Sequence, residues 1–355
     1  MCISICTRPG ANVGGMRAII YDVTGDPEVL TPVDREPPQA GPGEVQVRIH
    51  RSGVNPTDWK NRRGAEAGTP VEPVQVPNQD GSGVVEAVGA GVDASRVGER
   101  VWVFEAAYQR PEGTAQELTV VPEARAVPLP DDASFDLGAA LPIPFMTAHR
   151  CLTVTEGGPD HLAPGTLGGR TVLVSGGAGA VGNAAIQLAR WAGATVVTTV
   201  SGPEKAALAE AAGAHHVLNY REQDVIAEVR KIAPDGVDAV VEVAAAANAE
   251  IDVAVVGLHA SVAVYADDDK APLSVPIRPL MLPNVRYQFV LLYTAPDGWK
   301  TTAVRDLTEA LRAGAIRVGE DAGMPLHHYP LEQAVEAHAA VEGGAVGKVL
   351  IDVTD

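Results

Sequence analysis

The chain has 355 residues, with 27 Lys and Arg against 45 Asp and Glu, for a formal net charge of −18. That balance excludes a nucleic-acid-backbone surface, which needs clustered basic side chains. The length exceeds one ordinary core, so two domains are expected. Cys2, Cys6 and Cys151 form no CxxC pair and no disulfide framework, which fits a reducing, cytoplasmic setting.

The opening "MCISICTRPGANVGG" holds no apolar run long enough for a signal peptide or a membrane span. Residues 1–15 read as a flexible extension, and the folded chain is expected to begin at Met16. Residues 16–140 read as β-rich. "EVQVRIHRSGV" (44–54) alternates as a half-buried strand does, and "GSGVVEAVGAGV" and "GERVWVFEA" are short strands punctuated by Gly. From about 147 to 295 strands and helices alternate: "TVLVSG", a helix over 180–192, "TVVTTV", "PEKAALAEAAG", "HHVLNY", "EQDVIAEVRKIA" and "VDAVVEV". This alternation predicts a parallel sheet covered by helices on both faces. Two further helices, "TAVRDLTEALRAG" and "LEQAVEAHAAVEGG", precede a last strand, "GKVLIDV".

Between the first strand and helix of the alternating half lies "GGAGAVG". Gly177, Gly179 and Gly182 fit G-x-G-x-x-G, which in a βαβ context is a dinucleotide fingerprint. Gly177 is expected to permit the tight turn, Gly179 to let backbone N–H groups reach a pyrophosphate, and Gly182 to let the helix pack close. The helix N-terminus adds partial positive charge. A P-loop is excluded because Asn183 stands where Lys is needed, and Ser175 lacks the frame of a hydrolase elbow.

An NAD-type site carries an acid at the end of the second strand. Here Ser201 occupies that place and Lys205 follows, a hydroxyl and an ammonium suited to a 2′-phosphate, which predicts NADPH. The nearby Glu204 reads as part of a capping box with Ser201, with Pro203 in the first turn.

The chain resembles the zinc-free medium-chain dehydrogenase/reductases, in the quinone oxidoreductase (zeta-crystallin-like) group. The resemblance runs from Met16 to the C-terminus. It rests on "GDPEVL", "GVNPTDWKNRRG", "GSGVVEAVGAGV", "GAALPIPFMTAHRCL", the glycine turn, "GAHHVLNYRE", "VEVAAAANAEIDVAVV" and "GAVGKVLI". It implies an α/β fold: a GroES-like β-barrel catalytic domain over 16–146 and 296–355, and a doubly wound Rossmann domain over 147–295, with the active site in the cleft between them. By position it implies Asn55 near the nicotinamide ribose and substrate, and Thr147 facing the nicotinamide. It sets Ala180 and Val181 at the pyrophosphate, and Ser201, Lys205 and Tyr220 around the 2′-phosphate. Asn248 falls near the cofactor, and Tyr265, Leu292 and Tyr293 in the segments that close over the nicotinamide.

The chain departs from the pattern in places. Lys60 stands where quinone reductases of the group carry Tyr, and related enone reductases can carry Lys there. Leu258-His259 replaces a Gly pair and Tyr265-Ala266 a "VG", both changes being expected to touch the nicotinamide pocket. Zinc-dependent relatives use Cys and His ligands, since Zn²⁺ wants tetrahedral sulfur and nitrogen donors. This chain has "RSGVNP" and, with Gln79 and Asp80, "NQDGSG", so no metal is expected. The doublets His215-His216 and His327-His328 chelate poorly, because neighbours on a strand point to opposite faces, and His149 is expected to pack rather than to act as a base.

The resemblance implies hydride transfer from NADPH to a quinone. The alternatives are an enone or alkenal reductase, or an NADPH-binding structural protein of low turnover. Negative charge builds on the acceptor oxygen, and Asn55 and Lys60 are the expected donors. A small-molecule acceptor, a homodimer joined through the apolar strand "NVRYQFVLLY" (284–293), and no nucleic-acid or membrane partner complete the expectation.

Overall fold

The computed structural model describes residues 15–267 and 272–354. The extension expected over 1–15 lies, but for Gly15, outside the described residues. The first half runs β1 (Met16–Val23), β2 (Thr31–Arg35), β3 (Glu44–Val54), α1 (Pro56–Arg63), β4 (Pro70–Gln75), β5 (Asp80–Val88), β6 (Arg100–Val103), β7 (Leu118–Pro122) and β8 (Ala126–Pro128). Helices α2 (Phe135–Ala140) and α3 (Pro142–Leu152) lead out of it. The alternation in β3 buries Val45, Val47 and Ile49 against Val85, Val101, Val103 and Val121. This is the GroES-like half.

The second half runs β9 (Thr171–Ser175), α4 (Ala180–Trp191), β10 (Thr195–Val200), α5 (Pro203–Ala211), β11 (His216–Asn219) and α6 (Val225–Ile232). It continues through β12 (Val237–Glu242), α7 (Ala245–Val255), β13 (Val256–Val264), α8 (Ile277–Met281) and β14 (Arg286–Phe289). The strands pair in the order β11-β10-β9-β12-β13-β14, all parallel. β-branched runs such as "TVLVS" and "TVVTTV" suit central strands buried on both faces. The strand order reverses between β9 and β12, which opens a crevice at their carboxyl ends, the place where such sheets bind ligands.

The chain ends with α9 (Asp297–Arg312), β15 (Leu326–Pro330), α10 (Ala334–Glu342) and β16 (Lys348–Asp352). The segment after residue 296 opens with α9, whose Lys300 reaches Glu105 in the first half. Trp299, Ala303, Leu307 and Ala310 of α9, then Ile316 and Met324, pack in one cluster with α4. The return is made by β15 and β16, the latter pairing with β3, while α10 packs beneath. α3 bridges the halves, its residues sharing a core with Trp102 and Phe104 on one side and α4 on the other. The edge strand is also shorter than the expected 284–293. β14 spans four residues, after which Leu292–Thr294 form a single 3₁₀ turn.

Candidate active site

The glycine turn follows β9 and caps α4. Gly176, not Gly177, adopts the left-handed conformation, at φ 69°. Gly177 is required for packing: a Cβ there would lie 2.2 Å from Thr198 Oγ1. At Gly182 a Cβ would lie 2.3 Å from the Gly176 carbonyl oxygen, as expected for close helix packing. Gly179 is the N-cap of α4, and a Cβ there would meet nothing nearer than 3.4 Å. This open cradle beside Ala180 and Val181, at a helix N-terminus, fits a dinucleotide pyrophosphate.

Ser201 and Tyr220 lie side by side at the carboxyl ends of β10 and β11, since Val200 and Asn219 pair and the Tyr220 N–H donates to the Val200 carbonyl at 3.1 Å. Lys205 is exposed on the first turn of α5. The expected capping box is absent. Gly202 is the N-cap of α5, with no side-chain cap bond, and Pro203 opens the helix. Ser201 therefore stands ahead of the helix as part of this exposed edge.

Behind the turn, Glu242 at the end of β12 is fully buried. It accepts from Ser175 Oγ at 2.6 Å, the Ala244 N–H at 2.5 Å and Asn248 Nδ2 at 3.0 Å. The Asn248 amide nitrogen is thus spent on the protein. Burial, and then the Glu242 charge, push the Asp252 carboxyl up to about 9.

On the barrel side, Asn55 is the N-cap of α1 and is buried. Its Nδ2 donates to Asp80 Oδ2 at 2.7 Å, and its Oδ1 accepts from Lys348 Nζ at 2.7 Å. Lys348 also donates to Asp80 Oδ2 at 2.9 Å. The Asn55 backbone N–H donates to Asp58 Oδ2 at 2.7 Å. Burial, then the Asp80 charge, push the Asp58 carboxyl up to about 7. These bonds set which way the Asn55 amide faces and leave one of its N–H bonds for a ligand. Lys60 does not join this group. It is exposed, with its ammonium 5.7 Å from the centre of the Trp59 ring. The buried cation at Asn55 is Lys348.

The two halves meet at Tyr293. Its hydroxyl lies 2.7 Å from Thr57 Oγ1 on α1, and its ring stacks on Tyr108 at 5.0 Å between centres. Its carbonyl accepts from Lys300 Nζ at 3.2 Å. Lys300, on α9, also donates to Glu105 Oε2 at 2.9 Å. Leu292 and Thr147 are buried, and Tyr265 follows β13, its N–H donating to the Glu242 carbonyl at 3.1 Å.

Leu258 and His259 are far from this cleft. They lie near the amino end of β13, exposed, lining a surface cavity with Arg170, Asp238 and Asn284. Of the two expected pocket changes, only Tyr265-Ala266 is at the carboxyl edge of the sheet. His149 is buried, its Nε2 2.8 Å from Asp306 Oδ2, within the core. His327 and His328 have separate partners, the Val346 carbonyl and Asp352.

The sequence reading missed Lys348, Asp58, Thr57, Glu105 and Lys300. One signal was available for Lys348: a lysine opening the apolar strand "KVLID" must have a partner if it is buried.

The family model described as "Alcohol dehydrogenase GroES-like domain" matches residues 41–131, and that described as "Zinc-binding dehydrogenase" matches residues 180–309. The donor set does not fit zinc. Among the described residues no group of three or more His, Cys, Asp or Glu side chains is arranged to hold a metal, and the Lys348 ammonium is bonded to Asn55 and Asp80. The quinone oxidoreductase of Rattus norvegicus is 31% identical over 353 residues, covering 95% of this chain and 97% of that one. The crystal structure of Escherichia coli quinone oxidoreductase complexed with NADPH superposes with a TM-score of 0.77 at 25% identity, over 95% of this chain and 99% of that one. The crystal structure of an NAD-dependent alcohol dehydrogenase gives a TM-score of 0.81 at 28% identity, over 96% of this chain and 100% of that one. The glycine cradle and the two-part fold agree with these likenesses: the chain is an oxidoreductase and belongs to the quinone oxidoreductase group of the medium-chain dehydrogenase/reductase family.

Proposed function

We propose that this protein is an NADPH-dependent reductase of quinones, acting in the cytoplasm as a homodimer. The observation that carries the acceptor class is the stacked pair of Tyr108 and Tyr293 where the two halves meet, with Tyr293 bonded to Thr57, two residues from Asn55. A flat wall with a few donors suits a planar conjugated carbonyl. Both buried ammonium groups, Lys300 and Lys348, are already paired with carboxylates, which disfavours a strongly anionic substrate. The quinone oxidoreductases of similar sequence support the same class.

Bound NADPH supplies the hydride. Gly179, Ala180 and Val181 receive its pyrophosphate, while Ser201, Lys205 and Tyr220 meet the 2′-phosphate. Thr147, Tyr265 and Leu292 line the nicotinamide end. Negative charge develops on the acceptor oxygen, and we assign the remaining Asn55 N–H to meet it. Lys348, bonded to the Asn55 oxygen, draws electron density from the amide and strengthens that donor. A second reading, an enone reductase, would use the same dinucleotide cradle and the same Asn55 donor.

Dinucleotide oxidation followed with NADPH or NADH against quinones, enones and simple alcohols tests this. Turnover with NADPH and a quinone is expected. Efficient alcohol oxidation with no reduction of quinones or enones would overturn it.

A further inference from the structure

Reducing a carbonyl acceptor takes one proton for each hydride. We propose that the Tyr293 hydroxyl donates that proton and that the Thr57 hydroxyl returns it from water; this rests on the reductase reading above.

Three observations carry the assignment. The two oxygens are 2.7 Å apart and join the barrel helix α1 to the turn after the Rossmann sheet, so the pair spans the cleft beside Asn55. Tyr293 is 9% exposed whereas Thr57 is half-buried, so Thr57 is the residue of the pair nearer to solvent. Tyr293 is held on three sides: Thr57 at its hydroxyl, Tyr108 at its ring and Lys300 at its carbonyl. A donor fixed in this way is poised for proton transfer without reorganisation.

Both ammonium groups here are committed, and Asp58, with Oδ1 unpartnered, is the remaining protic side chain beside Asn55. Lys348 is bonded to Asp80 and Asn55, and Lys300 to Glu105 and Tyr293. Asp58 accepts the Asn55 N–H. Burial first, and the charges of Asp58, Asp80 and Glu105, hold the Tyr293 phenol well above its ordinary range. The phenol therefore carries its proton at neutral pH.

The balance is simple. The acceptor gains a hydride with its electron pair, and its oxygen forms an O–H bond as that of Tyr293 breaks. The phenolate is reprotonated by Thr57, and Thr57 by water. One acceptor is reduced, one dinucleotide is oxidised and one proton leaves the solvent.

The test compares wild type, Tyr293→Phe and Thr57→Val, with NADPH and a benzoquinone in H₂O and D₂O. Dinucleotide affinity is measured separately by fluorescence titration. Tyr293→Phe keeps the ring stack and should lower kcat by about 100-fold or more, the usual worth of a positioned acid. Its NADPH Kd should stay within about twofold, since only the hydroxyl is lost. Thr57→Val should lower kcat by roughly tenfold and change the solvent isotope effect, because reprotonation is slowed. If Tyr293→Phe does not fold, Thr57→Val decides by the same readouts. Variants with wild-type kcat and isotope effect would overturn the assignment while leaving the reductase reading standing. A wild type that binds NADPH yet reduces neither quinones nor enones would overturn both.

Discussion

Lys300 and Glu105 pair across the boundary between the two halves of the chain: the ammonium lies 2.7 Å from Oε1 of a carboxylate that is only 1% exposed. Glu105 is also in the left-handed region, at φ 52°, a conformation that costs a non-glycine residue free energy. Arg125 stands farther off, 3.7 Å from Oε2, so Lys300 is the nearer compensating charge and its removal leaves the buried carboxylate poorly paired. Lys300→Met should therefore cost about 3–5 kcal/mol, and Lys300→Met with Glu105→Met should recover much of it. Denaturant melts of Lys300→Met, Glu105→Met and the double variant decide; additive losses would show that the pair is not coupled.

Lys348→Met should lower kcat/KM for a quinone by at least about tenfold, because an oriented donor is lost. Lys60→Ala should change it by less than about twofold, as for an exposed side chain. Steady-state kinetics on both variants, alongside thermal melts to separate stability from rate, check this. The reverse order would return the catalytic cation to Lys60.

NADPH preference should reside at the exposed edge of β10 and β11. Lys205→Ala should weaken NADPH by about 1–3 kcal/mol, the range for a charged hydrogen bond, and leave NADH nearly unchanged. Isothermal titration with both dinucleotides reads the difference directly. Equal wild-type affinities would remove the basis of the preference.

His338 sets an acid limit. It is buried in α10 with Nε2 2.9 Å from Asn78 Oδ1, and burial, then Arg62, push it down to about 3. An unfolded imidazole takes its proton near pH 6.5. Between pH 6.5 and 3 the unfolded chain therefore binds more protons, and stability falls as pH falls. The slope from this group approaches about 1.4 kcal/mol per pH unit. His338→Gln should flatten the fall; identical wild-type and variant slopes between pH 6 and 4 would assign acid loss elsewhere.

The dimer should form along β14. Phe289 is 65% exposed on this edge and Leu291, just beyond it, is 56% exposed. A carboxylate at either place opposes burial against a second copy. Light scattering should report a dimer for the wild type and a shift towards monomer for Phe289→Asp. A monomeric wild type at micromolar concentration would refute the pairing.

What the sequence determined by itself is local. The period of two over 44–54 specifies β3, and the alternation of apolar runs with helical segments specifies a parallel sheet. The glycines between β9 and α4 specify a turn that only residues without a Cβ can make. Each of these depends on neighbours in the chain, so spacing reveals it. Even there, spacing does not say which glycine takes the left-handed conformation, which is Gly176, because backbone dihedrals are settled by how the turn packs. The Asn55–Asp80–Lys348 group was decided by tertiary structure: β16 pairs with β3 and brings Lys348 to Asn55, 293 positions away. Tyr293 meets Thr57 across 236 positions for the same reason. Lys60 and Lys348 look alike as letters. Only burial separates them, since a lysine removed from water must find a carboxylate, while one on a helix surface keeps its hydration.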